Sequence, residues 1–314
     1  MLKKIKNIIL NTDRFLYKKF GSDKSTKFLE NIKEAQIIFS HLNEIGKESK
    51  VRFVGGCVRK AICSENIDDI DLATSLEPDE VKKRLNKEDI KVIDTGIPHG
   101  TVTAILNKKK FEITTLRKDI KTDGRHAKVK FTKDWFVDSN RRDFTINAMS
   151  CDFNGNLYDY HNGLKDLKEG RIKFIGDSKK RIKEDFLRIL RYFRFYAYYG
   201  KNNIEKNQIN TFKNLSSNLK KLSSERLYYE FEKILLSNNA YKVIKLMQNS
   251  GVLKYIIFDN NYIERIKFLN KLNKINYLID FSTRLAIILN KNNLLKVSRN
   301  LKLSKAENNK INKI

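Results

Sequence analysis

Short β-branched and aromatic runs alternate with Gly-, Asn- and Lys-rich breaks in the early part of the chain. This pattern predicts strands at Val51–Val54, Ile70–Ala73, Lys91–Ile93, Thr101–Leu106 and Phe111–Thr115. They read as strands of one sheet. Between them, Val58–Ile62 and Pro78–Leu85 read as helices, the second with proline in its first turn and acids following. Beyond Ser178 the apolar positions take helical spacing over Asp185–Tyr199, Ser224–Leu236, Ala240–Asn249 and Tyr262–Leu272. Lys201–Lys221 is polar and Asn-rich and reads as a loop, and Leu301–Ile314 reads as a charged tail with little to bury. The expected class is α+β: a mixed sheet of about five strands flanked by helices, then an all-helical region.

Composition narrows this picture. A chain of 314 residues exceeds the usual size of a single core, so more than one domain is expected. Its 64 Lys and Arg against 37 Asp and Glu give a net charge of +27, spread along the chain. Part of the lysine excess suits an AT-rich genome, and the rest points to a polyanionic partner such as nucleic acid. Cys57, Cys63 and Cys151 have no Cys-x-x-Cys spacing, so neither a zinc site nor a disulfide framework is expected, and a reducing cytoplasm fits. No apolar run reaches the roughly 20 residues of a membrane span. The Lys-rich start, Met1–Phe20, lacks a signal-peptide cleavage pattern and reads as a surface helix; read as a presequence, it would direct the chain to an organelle matrix. No membrane association and no obligate protein partner are predicted.

Asp69 and Asp71 flank Ile70 in a strand-like segment, and side chains two apart on a strand share a face. Such a pair can hold Mg²⁺ for phosphoryl chemistry, although Asp-x-Asp alone more often marks an exposed strand face, here with Ile70 and Leu72 buried behind it. Glu112, on a later strand, is a candidate third acid. Gly55-Gly56 ends an apolar strand ahead of Arg59, where backbone N–H groups and a guanidinium can approach phosphate oxygens. An ordinary strand-to-helix turn needs the same glycines. There is no Walker sequence, and the four histidines lack ligand spacing.

Asp185, Arg188, Arg191 and Arg194 recur every third residue and form one polar stripe if the segment is helical. Asp185 beside Arg188 presents an acceptor next to donors. That pattern fits the amino group and ring nitrogen of cytosine or adenine and disfavours uracil and guanine. As a plain helical face the stripe would be worth a few tenths of a kcal/mol per ion pair.

Ordered blocks over roughly 200 residues carry a resemblance too long for coincidence. They are Phe53-Val-Gly-Gly-Cys-Val-Arg59, Asp68-Asp-Ile-Asp-Leu-Ala-Thr74, His99-Gly-Thr-Val and Phe111-Glu-Ile-Thr-Thr-Leu-Arg117. Further on come Asp123-Gly-Arg-His-Ala127, Asn140-Arg-Arg-Asp-Phe-Thr-Ile-Asn-Ala148 and Glu184-Asp-Phe-Leu-Arg-Ile-Leu-Arg-Tyr-Phe-Arg-Phe195. The chain resembles the bacterial-eukaryotic (class II) tRNA nucleotidyltransferases, or CCA-adding enzymes, which share their head with bacterial poly(A) polymerases.

The resemblance implies a nucleotidyltransferase-fold head, with an N-terminal extension over 1–30, the head over 31–177, a helical neck over 178–240 and a short RNA-binding body over 241–314. It also implies addition of C, C and A to tRNA 3′ ends from CTP and ATP. Mg²⁺ would sit at Asp69 and Asp71, with Glu112 as a further catalytic acid. Nucleotide binding would fall to Gly55, Gly56, Arg59, Arg142, Asp143, Asn147, Asp185, Arg188, Arg191 and Arg194. Arg142 would meet phosphate and Asp143 a ribose hydroxyl, Asp185 and Arg188 would template the base, and the later arginines would contact phosphates. Without the resemblance, Arg141-Arg142-Asp143 reads as a helix-start ion pair.

The chain departs from the family at Lys60, where an aspartate usually follows the arginine, which leaves the seating of Arg59 open. The helical region after Tyr199 also looks shorter than usual, although Ser224-Glu-Arg-Leu227 and Gly251-Val-Leu253 resemble pieces of it. The shared head leaves open poly(A) synthesis, addition of only CC or only A, and a catalytically silent RNA-binding paralogue.

Overall fold

The computed structural model describes residues 19–20, 32–43, 50–123, 126–259, 262–268 and 279–314. It divides into two compact units, 1–168 with 173–176 and 169–172 with 177–314. In chain order the first unit has strands β1 (Lys19–Phe20), β2 (Val51–Val54), β3 (Ile70–Thr74), β4 (Lys91–Gly96) and β5 (Thr101–Leu106). β6 (Lys109–Thr115), β7 (Arg117–Asp123), β8 (His126–Phe131), β9 (Ser150–Cys151) and β10 (Leu157–Tyr158) follow.

The five expected strands pair in the order β2-β3-β6-β5-β4, and β9, β10 and β1 extend them to an eight-stranded sheet among the described residues. The added strands are two residues long, too short to show alternation in sequence. β3 and β6 run parallel inside an otherwise antiparallel sheet. β7 and β8 form a separate hairpin. Gly124 and Arg125 of the Asp123–Ala127 segment lie outside the described residues, as does the surface helix expected over Met1–Phe20, except that Lys19–Phe20 pairs as a strand.

Helices α1 (Lys33–Leu42), α2 (Gly56–Ile62), α3 (Pro78–Asn86), α4 (Trp135–Asn140) and α5 (Gly163–Glu169) flank this sheet. α1 buries Ala35, Ile38, Phe39 and Leu42, and its Phe39 ring lies 4.8 Å from that of Phe53 in β2. β2 is buried on both faces, and the guanidinium of its fully buried Arg52 is sandwiched between Trp135 and Tyr158, 4.1 and 3.5 Å from the ring centroids. Burial on both faces makes β2 a rigid support for the Gly55-Gly56 turn at its end.

The second unit is helical: α6 (Ser178–Glu184), α7 (Leu187–Tyr199), α8 (Lys206–Leu215), α9 (Ser224–Leu236), α10 (Ala240–Asn249), α11 (Phe281–Ile288), α12 (Leu294–Leu301) and α13 (Lys305–Lys313). α9 and α10 match the predicted spans. The segment expected as a loop contains α8 and a 3₁₀ turn, Ser216–Lys221. α8 is polar in sequence, but Phe212 is fully buried with ring centroids 4.9 Å from Tyr192 and 5.1 Å from Phe193, so tertiary packing stabilises it. The expected tail is also helical: α13 has a Ser304/Glu307 capping box and buries Ile311. Tyr262–Leu272 begins with a 3₁₀ turn at Ile263–Arg265, and residues 269–272 lie outside the described residues. No described helix is long and apolar enough to cross a membrane.

Candidate active site

Asp71 lies on β3 and is directly in register with Glu112 on the parallel neighbour β6, so the two carboxylates project from the same face. β6 alternates buried Phe111, Ile113 and Thr115 with exposed Glu112, which places Glu112 on its open side. Asp69 is exposed and immediately precedes β3, so it is presented by a loop and not by the strand on which the sequence pattern placed it. Burial pushes the Asp71 carboxyl above its ordinary range, and the charges of Glu112 and Asp69 add to this while Arg142 opposes it.

Two acids thus share one face and the charge of a third, Asp69, reaches Asp71, an arrangement a divalent cation would relieve. Among the described residues no three His, Cys, Asp or Glu side chains are close enough to cage a metal by themselves. Hard oxygen donors in this small number suit Mg²⁺, which commonly takes one or two carboxylates and completes its shell with water and phosphate.

The glycine turn lies in the same unit. Gly55 adopts φ +68° and ψ −118°, a region open essentially to glycine alone, and donates its N–H to Met149 O at 3.2 Å. A Cβ there would stand 3.1 Å from Nη1 of Arg142 and 3.7 Å from Asn147 O. Arg59 is buried and donates from Nη1 to Asn147 Oδ1. Asn147 in turn donates from Nδ2 to Asp143 Oδ1 at 2.9 Å, and that oxygen also accepts Phe144 N–H at 2.9 Å. Gly55, Arg59, Arg142, Asp143 and Asn147 are therefore linked side by side, with the Arg142 charge acting on Asp71. α2 has only seven residues, so the anion-attracting charge here comes mainly from the two guanidinium groups.

Asp138 organises this basic group, and the sequence reading did not single it out. It is 3% exposed and accepts from Arg117 N (3.1 Å), Arg141 Nε (2.8 Å) and Arg142 Nη2 (3.4 Å). Burial alone would raise its carboxyl, yet Arg141 and Arg142 hold it below the ordinary value. Its spacing of three and four residues from the two arginines is the signal that could have found it. The seating of Arg59, left open by Lys60, is supplied by Asn147, while Lys60 Nζ pairs with Asp68 Oδ2 at 2.8 Å.

In the second unit the expected base reader is arranged differently from the simple stripe. α7 begins at Leu187, and Asp185 stands before it in extended conformation, φ −155° and ψ 109°. Its Oδ1 accepts Leu187 N–H at 3.1 Å and its Oδ2 pairs with Arg226 Nη2 at 2.7 Å. Arg188 donates to Glu184 Oε2 at 2.5 Å and Arg181 O at 2.6 Å. Asp185 and Arg188 are adjacent through a backbone hydrogen bond, Arg188 N to Asp185 O at 3.1 Å, and each side chain has a partner from elsewhere. The stripe starts outside the helix, whose N-cap is Phe186, and from there the Asp185 carboxylate accepts the Leu187 N–H of the first turn, which has no partner within the helix. Arg191 and Arg194 converge on the buried Glu230 of α9 at 3.7 and 3.2 Å. Arg226 and Glu230, one turn apart on α9, were not picked out in sequence because their partners are more than 30 positions away.

The Poly A polymerase head domain family model matches residues 51–173, and the one described as "Probable RNA and SrmB- binding site of polymerase A" matches residues 203–259. Human mitochondrial CCA tRNA nucleotidyltransferase 1 is 41% identical over 237 residues, covering 73% of this chain and 52% of the human protein. Its mouse counterpart is 38% identical over 296 residues, covering 90% of this chain and 65% of that one. The chain thus spans between about half and two thirds of these relatives. The crystal structure of the Bacillus stearothermophilus CCA-adding enzyme in complex with CTP superposes with a TM-score of 0.66 at 25% identity, covering 90% of this chain and 66% of that one. With the head and RNA-binding models matched in order, together over more than half of its residues, this chain belongs to the tRNA nucleotidyltransferase and poly(A) polymerase family.

Proposed function

We propose that this chain adds C, C and A to the 3′ ends of tRNA, taking CTP and ATP as substrates and releasing pyrophosphate. The observation that carries the reading is the half-buried Asp71, in register with Glu112, beside Asp69 and within the field of Arg142. It is supported by relatives whose names specify CCA tRNA nucleotidyltransferase and by a similar structure bound to CTP. In the reaction the RNA 3′ oxygen bonds to the α-phosphorus and the bond to the pyrophosphate oxygen breaks.

Asp69 and Asp71 would hold Mg²⁺, with Glu112 as the third acid. When bound, the metal supplies Lewis-acid activation of the hydroxyl and neutralisation of the leaving phosphates. Gly55, Gly56, Arg59 and Arg142 seat the triphosphate, Asn147 orients Arg59, and Asp143 meets a ribose hydroxyl. Asp185 and Arg188 read the amino group and ring nitrogen common to C and A, and Arg191 and Arg194 contact phosphates. On this reading residues 178–240 are the neck and 241–314 the RNA-binding body. The charge of +27 suits tRNA. The relatives named mitochondrial make an organelle matrix the alternative to cytoplasm, which imaging of a tagged full-length chain decides.

The test is Asp71→Ala. Incorporation of labelled nucleotide should fall at least about a thousandfold, the several kcal/mol a metal contributes, while tRNA binding stays within about twofold. Activity retained near wild type contradicts the assignment.

A further inference from the structure

The loop between α2 and β3 carries the one metal-facing acid that no strand holds. Among the described residues, no hydrogen bond or ion pair of its own fixes the Asp69 carboxylate. Its place is set by its two neighbours. Ile70 is locked in register with Phe111. Asp68 is tied through Oδ2 to Lys60 Nζ at 2.8 Å. Lys60 also grips the same loop through its backbone, where its carbonyl accepts Glu65 N–H at 2.9 Å across Ser64 at φ +55°. Lys60 directly follows Arg59, so one short helix fixes both a phosphate-facing guanidinium and the loop that presents a metal-facing carboxylate.

We infer that Lys60 is a positioning residue: its ion pair with Asp68 latches the loop so that the Asp69 carboxylate stands beside Asp71, and thereby sets divalent-metal affinity. The inference rests on the reading of Asp69 and Asp71 as the metal pair. Lys60 also neutralises Asp68, which keeps a third acid close to the pair in sequence from competing for the ion.

The sign of the effect separates a latch from simple charge. Through space, removing the Lys60 cation would strengthen binding of a cation nearby, and removing the Asp68 anion would weaken it. A latch requires both single changes to weaken it. The side chains are 30% and 74% exposed, so the pair ranks with exposed ion pairs and the effect is a modest one, about two- to fivefold.

The experiment measures Mn²⁺ binding to the full chain by electron paramagnetic resonance, without substrate, for wild type, Lys60→Met, Asp68→Asn, the double variant of these two, and the charge swap Lys60→Asp with Asp68→Lys. Both single variants should bind about two- to fivefold more weakly, the double no more weakly than either single, and the swap should return to within about 1.5-fold of wild type. In turnover, the Mg²⁺ requirement should rise by the same factor while KM for nucleotide is unchanged. A merely structural pair would lower the melting temperature and leave Mn²⁺ affinity alone. Wild-type or tighter binding by Lys60→Met, or additive losses in the double variant, overturns the latch. Asp71→Asn is the control: if it loses Mn²⁺ while Lys60→Met does not, the latch alone falls, and if it binds Mn²⁺ like wild type, the metal-pair reading falls and the latch with it.

Discussion

Gly55→Ala tests the geometry of the triphosphate seat directly. At φ +68° and ψ −118° an alanine must hold a conformation that L-residues avoid, at a cost of about 1–3 kcal/mol. For a unit of this size each kcal/mol lowers the melting temperature by about 2–4 °C, so the expected drop is roughly 2–12 °C. The new methyl also stands 3.1 Å from Arg142 Nη1, which must give way by a few tenths of an ångström. A charge-assisted hydrogen bond from Arg142 to phosphate is worth about 1.5–3 kcal/mol, and a partial loss of about 1 kcal/mol costs roughly fivefold in kcat/KM.

Gly56→Ala is the matched comparison. Gly56 begins the helix, and its added Cβ would meet only Arg59 Nη2, at 4.0 Å. Its melting temperature should hold or rise, since alanine is favoured over glycine in a helix by up to about 1 kcal/mol. Its activity should still fall, because the methyl enters the side on which the guanidinium meets phosphate. Calorimetry and nucleotide-saturation kinetics on both variants give the comparison. Equal melting temperatures for the two alanine variants would refute the claim that Gly55 is held in a glycine-only conformation.

Three other outcomes follow from the same contacts. Because the Asp71 carboxyl is raised in the folded state, its ionisation costs stability at neutral pH; metal-free Asp71→Asn should therefore melt above wild type at pH 7 and lose that advantage below the ordinary aspartate range near ~4, as pH-dependent melts will show. Asp138→Ala should destabilise by about 3–5 kcal/mol in denaturant titration, since it removes the buried carboxylate that Arg141 and Arg142 share; the Asp138 carboxyl is held low, so its contribution is present at neutral pH and is lost as pH falls through that depressed value. Arg226→Ala should leave Asp185 without its ion-pair partner and raise misincorporation of UTP or GTP in competition assays, with less effect on the CTP rate.

The sequence revealed the parts of this fold whose pattern is local. The central strands were visible because each is a short run of β-branched or aromatic residues between turn residues, and α9 and α10 because their apolar stripes need no distant partner. α8 was not visible, since Phe212 acquires its meaning only against Tyr192 and Phe193. α13 was visible and overlooked: Ser304 followed three positions later by Glu307 is a capping box. In the candidate site, residue types and order pointed to the acids, the glycines and the arginines. Their couplings did not appear in sequence. Asn147 holds Arg59 from 88 positions away, and Arg226 meets Asp185 across 41. Such pairs depend on the folded path of the chain, and no local periodicity records them.

The reaction itself is tested by supplying the purified chain with Mg²⁺, CTP and ATP and with tRNAs ending at the discriminator base, in C or in CC, then sequencing the products. The account predicts completion to CCA from each primer and no extension beyond it. A long A tail would assign the chain to the poly(A) branch of its family, and no incorporation on any primer would contradict the account.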